Sequence, residues 1–268
     1  MSNPLAIKSS ETKFFAVLKS AINLPGIKIN RDEFLERELS KRFPRETVNL
    51  AIKENPAYAG ITVDQIEEIA QACINSETTQ VTVLSTAAGI PGGLAVLGSA
   101  PADVVQYFGH ILRVLQKLVY LYGWTTLCDS RGDFDDETLN QLTLFIGVMF
   151  GVTAASNAVV KIASVTATKV ETTIANKALT KGTIYPIVRK VAGILGVNIN
   201  KQLFAKYVGN VVPVIGGVVS GGLTYVTFKP SAMRLKKHLK KLPTANVESY
   251  RSCGETNFSS VILEGEIV

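Results

Sequence analysis

Apolar residues recur at helical spacing along most of the chain, and residues typical of helix starts precede them. Asn30 with Glu33, and Thr62 with Gln65, each have the pattern of a capping box, in which side chain and backbone satisfy each other's unpaired groups. The segment after Thr62 is predicted to continue as a helix to Ala88. The sequence therefore predicts an all-α fold, a multi-helix bundle whose apolar hairpins are kinked at glycine and proline.

Three stretches of the chain contain no charged side chain: Thr78 to Ala102, Thr138 to Val160, and Tyr207 to Phe228. Each is long enough to cross or enter a bilayer, for which ~20 apolar residues suffice. All three are also rich in small residues, which let helix backbones approach closely. Membrane contact and dense packing in a soluble core are both compatible with this pattern. In the last stretch β-branched residues are dense, but glycines recurring every fourth residue favour helix over strand.

Each uncharged stretch contains a GxxxG step, and we expect its glycines and prolines to serve helix packing or kinks. The first stretch should turn sharply at its glycine–proline cluster, because these residues disfavour a helix interior. The second step, continued by Ala155, is predicted to form a small-residue face on one uninterrupted helix. The packing or kink positions are Gly89, Pro91, Gly92, Gly93, Gly147, Gly151, Pro213, Gly217 and Gly221.

Charge is distributed very unevenly along the 268 residues, although the net charge is only +6. Residues 155–242 hold 14 basic and one acidic side chain, whereas residues 1–80 hold 10 and 11. Such a field attracts an anionic partner, which would be a membrane surface, a nucleic acid or an acidic protein. The alternative is that these lysines only keep an apolar helical region soluble.

The densest basic cluster directly follows the third uncharged stretch. Clusters of this kind beside an apolar segment are typical of sites for anionic lipid headgroups, at ~1 kcal/mol per charge near the surface. A solvated helix face is the competing interpretation. Nucleic acid is disfavoured, because no aromatic residues interleave with the charges to stack on bases. The predicted headgroup ligands are Lys229, Arg234, Lys236, Lys237, Lys240 and Lys241.

A polar pocket between helices is a second candidate site, formed by Asp103 and Tyr107. Asp103 follows a long uncharged stretch, so it would bind a cation or relay a proton if it lay at apolar depth. In the competing interpretation Pro101 begins a helix and Asp103 accepts the exposed backbone N–H groups of its first turn.

Enzyme signatures are missing from the sequence. Neither His110 nor His238 lies beside a nucleophile motif, and there is no phosphate-binding or dinucleotide-binding glycine loop. The three cysteines lack zinc-site spacing, so we expect no metal and no cofactor. Catalysis is not indicated, although a dispersed set of residues leaves no motif. An odd, scattered cysteine set and the lack of a secretory signal favour a cytoplasmic location.

Three groups of residues resemble the EcsC protein family. They are Gly89, Pro91, Gly92 and Gly93 before Ala102–Asp103, the run Tyr120–Trp124, and Pro213, Gly216, Gly217 and Gly221 before the basic helix. The likeness spans roughly residues 60 to 242. It implies a bacterial, mostly helical, cytoplasmic protein of poorly defined role, and it provides no catalytic residues.

From these features we expect an N-terminal helical region (1–61), an EcsC-like helical domain (62–242) and a peripheral or flexible tail (243–268). The expected function is non-enzymatic: a membrane-associated protein at the inner face of the bacterial cell membrane that docks on anionic lipid through its basic C-terminal helix. Two alternatives remain, namely a soluble helical protein that binds a lipid-like or small apolar ligand, and a module that binds a protein partner.

Overall fold

The computed structural model describes residues 4–87, 102–124, 127, 136–167, 185–198 and 220–250. These residues form α-helices and one short 3₁₀ helix, and no strand occurs among them, which confirms the predicted all-α fold. The elements are α1 (Pro4–Ile22), α2 (Arg31–Leu39), α3 (Arg45–Lys53), α4 (Val63–Ala87), α5 (Ala102–Leu121), α6 (Asp136–Met149), α7 (Thr153–Ala167), α8 (Tyr185–Asn198), α9 (Ser220–Leu239) and η1 (Pro243–Ala245).

Helix α5 lies at the centre of the bundle. It packs against α1, α2, α4, α6 and α9, so it is enclosed on nearly all sides. Its residues Ile111, Leu112, Leu115 and Leu118 are fully buried, and they belong to one continuous hydrophobic core. A helix that is apolar around most of its circumference is stable only in such a position.

The helix starts follow the predicted capping residues. The side chain of Asn30 accepts hydrogen bonds from the backbone N–H groups of Asp32 and Glu33 at the start of α2. At the start of α4, the backbone N–H of Thr62 donates to Gln65 Oε1 at 2.9 Å, and the N–H of Gln65 donates to Thr62 Oγ1 at 3.4 Å. Both predicted caps, and the long helix after Thr62, are confirmed.

Two helices end in a left-handed glycine. Gly123 after α5 has φ 88°, and Gly151 after α6 has φ 78°, a region that glycine enters without steric cost. In each case the following residue donates to a carbonyl five residues back, as in a Schellman motif; Val152 N–H, for example, donates to Gly147 O at 2.8 Å. The uninterrupted helix predicted across Gly147–Gly151 is therefore wrong, because Gly151 ends α6 and the chain reverses into α7.

Gly147 lies where α6, α7 and α8 meet. A Cβ atom at this position would come within 2.6 Å of the Ala155 Cβ and 2.7 Å of a Val191 methyl group. Real side-chain carbons do not approach so closely, so only glycine fits without displacement of a neighbouring helix. Small residues thus bring these helices together within the core.

The N-terminal region shares the core of the central helices. Phe34 and Leu35 of α2 are buried in the same cluster as α5. The buried guanidinium of Arg31 donates to the carbonyl of Trp124 at 3.3 Å and to that of Ile52 at 2.7 Å, which joins the ends of α3 and α5. The N-terminal helices are thus continuous in packing with the central helices of the bundle.

The start of the predicted C-terminal tail is packed as well. Thr244, Ala245 and Tyr250 are buried, and η1 lies against α7. The backbone of Thr244 contacts Gly123 so closely that a Cβ at residue 123 would clash with the Thr244 carbonyl oxygen. Residues 243–250 are therefore part of the bundle rather than a peripheral appendage; residues 251–268 lie outside the described part of the chain.

The three uncharged stretches serve different structural roles. The first contributes the end of α4, the second folds back on itself as α6 and α7, and the described part of the third begins α9. None of the helices in the described segments combines the length and apolar content that a bilayer crossing requires.

Candidate functional site

Helix α9 carries four of the six predicted headgroup ligands, and Lys240 and Lys241 follow it directly. Its last turn contains Lys236, Lys237 and His238. Positive side chains are favoured there by the carbonyl dipoles at a helix C-terminus. Side chains four residues apart lie on the same side of a helix. Lys240 directly follows α9, and its backbone N–H still donates to the Lys236 carbonyl at 3.1 Å, so positions 236 and 240 lie on one side of the helix end.

Lys236 and Lys240 point toward α4, where both are paired with Glu67. Lys236 Nζ lies 3.0 Å from Glu67 Oε1 and donates to Gln71 Oε1 at 2.9 Å. Lys240 Nζ donates to Glu67 Oε2 at 2.9 Å. The hydrogen bonds from Lys240 and Lys236 lower the pKa of Glu67 from its ordinary value. Two of the six predicted cations thus hold α9 against α4, and Lys236 is only 5% exposed.

Arg234 joins α9 to the end of α6. Its Nη1 donates to the carbonyl oxygen of Met149, and its guanidinium lies beside Gly151. It thereby satisfies one of the carbonyls that a helix leaves unpaired at its C-terminus. Lys229 is half-buried. Neither residue projects freely into solvent.

Lys237 and Lys241 are exposed, and among the described residues neither forms an ion pair with α4. Helix α7 lies nearby, because it packs against η1 just after these lysines, and the backbone of Ser156 lies close to His238. Val160, one turn beyond Ser156, is 42% exposed, and the next residue, Lys161, is exposed as well. We call the exposed lysines Lys237 and Lys241 the basic face.

His238 lies half-buried behind the basic face. Its burial, and then the positive charge of Lys241, lower the pKa of His238, although the hydrogen bond to Ser156 acts in the opposite direction. The histidine is therefore held in its neutral form at neutral pH, and the positive charge of this face comes from the lysines.

A second charged cluster lies between α4 and α5, and it is buried. Glu77 of α4 is fully shielded from solvent. Lys117 Nζ donates to Glu77 Oε1 at 2.6 Å, Arg113 Nε donates to the same oxygen at 3.2 Å, and His110 Nδ1 lies 3.5 Å from Oε2. Residues 110, 113 and 117 follow helical spacing, so one side of α5 supplies all three partners. We call these four residues the Glu77 network.

The surroundings of Glu77 keep its carboxylate ionised. Burial by itself would raise the pKa of Glu77, but the hydrogen bonds from His110 and Lys117 and the charges of Lys117 and Arg113 outweigh it and lower the value to about 2. Arg113 also donates to the Gly26 carbonyl, which ties the α1–α2 connection to the same point. The network is arranged to hold three chain segments together.

The thiol of Cys73 lies one turn before Glu77 on α4 and is buried. Burial, followed by the negative charge of Glu38, raises the pKa of Cys73 to about 11. A thiol that stays protonated at neutral pH is a weak nucleophile. Cys73 is therefore a packing residue.

The predicted polar pocket consists of Asp103 and Tyr107, and the structure describes the side chain of Tyr107 alone. That side chain lies in a packed contact with α9. The Tyr107 hydroxyl lies 3.3 Å from Thr227 Oγ1, and its ring contacts Phe228 edge to face. Burial raises the pKa of Tyr107, so the phenol stays neutral. The side chain of Asp103 lies outside the described part of the structure, and so its predicted role stays a prediction.

Most of the predicted kink positions also lie outside the described residues. These are Gly89, Pro91, Gly92, Gly93, Pro213 and Gly217. Gly221 lies in the first turn of α9. The glycine–proline features that carry the EcsC resemblance mostly fall in these segments.

The Glu77 network is not predicted by any sequence pattern. The three α5 residues follow a readable spacing of three and four, but their partner lies 33 to 40 residues earlier in the chain. Glu77 itself directly precedes the first uncharged stretch, and no local pattern marks it as buried. Within the described residues, no cluster of His, Cys, Asp and Glu side chains is arranged to hold a metal ion.

Comparison with known protein families, curated proteins and solved structures gives no match to this chain. The EcsC resemblance therefore stays a prediction.

Proposed function

We propose that this chain is a non-enzymatic protein that docks on anionic lipid at the cytoplasmic face of a bacterial membrane, and that the basic face makes the contact. The observation that carries the proposal is the exposed pair Lys237 and Lys241. Among the described residues, neither lysine has an acidic partner, so their charges are available to a ligand. We also propose that the chain belongs to the EcsC family, as the resemblance implies. The bacterial membrane in this proposal follows from that resemblance.

The charge on the basic face would strengthen docking on an anionic surface. Each lysine near an anionic surface contributes ~1 kcal/mol. Lys237 and Lys241 together would therefore strengthen binding by about 30-fold. Because exposed charges are screened over about 10 Å at 0.1 M salt, this binding should weaken as the salt concentration rises.

Val160, which is exposed on α7, would add an apolar contact if α7 reaches the same membrane surface. Fully burying a valine side chain contributes roughly 1.5–3 kcal/mol. Since Val160 is 42% exposed, inserting it among headgroups would add about 1 kcal/mol. An exposed apolar side chain next to Lys161 suits a surface that is anionic outside and apolar beneath.

Flotation with lipid vesicles tests the proposal. We expect the protein to float with phosphatidylcholine vesicles that contain phosphatidylglycerol, and K237Q/K241Q to lose about 30-fold in affinity. The matched control is R45Q/K53Q, which removes two exposed positive charges from α3 and changes the net charge equally. Unchanged binding by K237Q/K241Q, or an equal loss in R45Q/K53Q, would show that the basic face is not the docking surface.

A further inference from the structure

Glu67 occupies the place on Lys240 that an anionic headgroup would take. We propose that Glu67 is an internal competitor of the lipid: a lipid phosphate displaces its carboxylate from Lys240, and Lys240 then joins the basic face. This inference rests on the proposed function. It assigns a role to the ion pair between α4 and α9, which otherwise only joins the two helices.

The two lysines that share Glu67 differ in their access to solvent. The side chain of Lys240 is 35% exposed and that of Glu67 is 32% exposed, whereas that of Lys236 is 6% exposed. A phosphate group can therefore approach the bond between Lys240 and Glu67 but not the one between Lys236 and Glu67. Lys236 also has a second partner in Gln71, which fixes it further.

Exchange at Lys240 is energetically easy. An ion pair this exposed contributes little net stability, because solvent and salt already screen it. The ammonium group of Lys240 can pair with a phosphate as well as with a carboxylate, because it is a compact point charge with three N–H donors. After exchange Glu67 still accepts from Lys236, so no buried charge is left without a partner. The fold keeps its contact between α4 and α9 while the surface gains a cation.

Glu68 provides a matched control on the same helix. It is the next residue of α4, it is exposed, and it pairs with Arg42 rather than with α9. E67Q and E68Q change the net charge identically. They differ in which cation they release, so only E67Q frees Lys240.

The decisive experiment compares flotation of E67Q, E68Q, K240Q and E67Q/K240Q with phosphatidylglycerol-containing vesicles. E67Q should bind about fivefold more tightly than the wild type, and E68Q less than about twofold more tightly. K240Q should remove the whole gain in the E67Q background. Equal binding by E67Q and E68Q, or a gain that survives K240Q, would overturn the inference.

A second measurement tests, without lipid, whether Glu67 restrains Lys240. Acetylation of lysines, followed by mass spectrometry, should label Lys240 several-fold faster in E67Q than in the wild type, with Lys237 unchanged as the internal reference. In the wild type, adding the vesicles should protect Lys240, a result that does not depend on E67Q being well folded. Lys240 labelling that responds to neither change would contradict the inference, and equal protection by inorganic phosphate would overturn the lipid assignment.

The two proposals fail in distinguishable ways. If neither the wild type nor E67Q binds vesicles, the proposed function is overturned and the inference with it. If K237Q/K241Q loses binding while E67Q and E68Q behave alike, docking through the basic face is retained and only the role of Glu67 is rejected.

Discussion

Two carboxylates of α4 are each held by cations from a neighbouring helix, yet they differ in burial. Glu77 is fully buried and receives Lys117, Arg113 and His110 from α5. Glu67, three turns earlier, is about one-third exposed and receives Lys236 and Lys240 from α9. The same chemistry thus occurs at two depths along one helix.

The depth of each carboxylate decides what its ion pairs can do. Removing a partner from a buried charge cluster is costly, because the remaining charges are left without solvent or counter-charge. Pairs near the surface contribute little, because water compensates for them. The Glu77 network is therefore structural, and the pair between Glu67 and Lys240 is free to exchange. Substitutions in the two clusters should accordingly differ several-fold in their effect on stability.

Replacing Glu77 by glutamine should destabilise the protein most. The change leaves Lys117 and Arg113 without a counter-charge in the interior, which typically costs ~3–5 kcal/mol. Urea unfolding followed by circular dichroism measures the loss. E68Q, an exposed change on the same helix, is the control and should stay within ~0.5 kcal/mol of the wild type. A cost below ~1 kcal/mol for E77Q would remove the distinction between the two carboxylates.

The pH dependence of stability should show the same network. The pKa of Glu77 is lowered from 4.5 to about 2 in the folded protein. Its contribution is therefore complete above pH 4.5 and is lost as the pH falls from 4.5 toward 2. The loss is on the order of 3 kcal/mol, and E77Q should lack it. Unfolding free energies measured for both proteins across this range provide the test, and parallel curves would contradict it.

Replacing one buried lysine in each cluster, Lys117 beside Glu77 and Lys236 beside Glu67, compares the two clusters directly. Lys117→Met leaves the fully buried Glu77 with fewer donors, so we expect it to cost about 2–3 kcal/mol. Lys236→Met leaves Glu67 paired with Lys240 and in contact with water, so its cost should be nearer to 1 kcal/mol. Both changes keep a similar side-chain volume, and both are measured by the same unfolding assay. A larger loss for Lys236→Met would reverse the assignment of structural and exchangeable pairs.

The smallest effect on stability is expected from the basic face. Lys237 and Lys241 are exposed, so K237Q/K241Q should change the unfolding free energy by less than ~0.5 kcal/mol. A neutral effect on stability would show that any loss of vesicle binding arises at the surface. Clear destabilisation would mean that these lysines support the bundle and are not free to bind lipid.

The sequence predicted the helical fold well because its start signals are local. Asn30 and Thr62 satisfy amides two or three residues away, so their role is readable without tertiary information. The position at which α6 ends was not predicted. Gly147 and Gly151 fit a helical small-residue step, but Gly151 adopts a left-handed conformation that a pattern of small residues does not reveal.

The sequence predicted which basic residues belong to the candidate site, but not which of them are paired with α4 and which are exposed. Helical spacing separates positions 236 and 240 from 237 and 241, but it cannot say which pair faces another helix. That choice depends on the packing of α9 against α4, where Glu67 lies 169 to 173 residues away in sequence. The Glu77 network could not be predicted for the same reason, because its partners also lie far apart in the sequence. Long-range pairing decides which charges are internal and which remain for a partner.

The most direct measurement is flotation of the wild-type protein with vesicles of pure phosphatidylcholine and with vesicles that also contain phosphatidylglycerol, each at low and high salt. We expect the protein to float with the anionic vesicles at low salt, and high salt or removal of phosphatidylglycerol to release it. Protein that stays unbound under all four conditions, or that binds both kinds of vesicle regardless of salt, would contradict docking through exposed lysines.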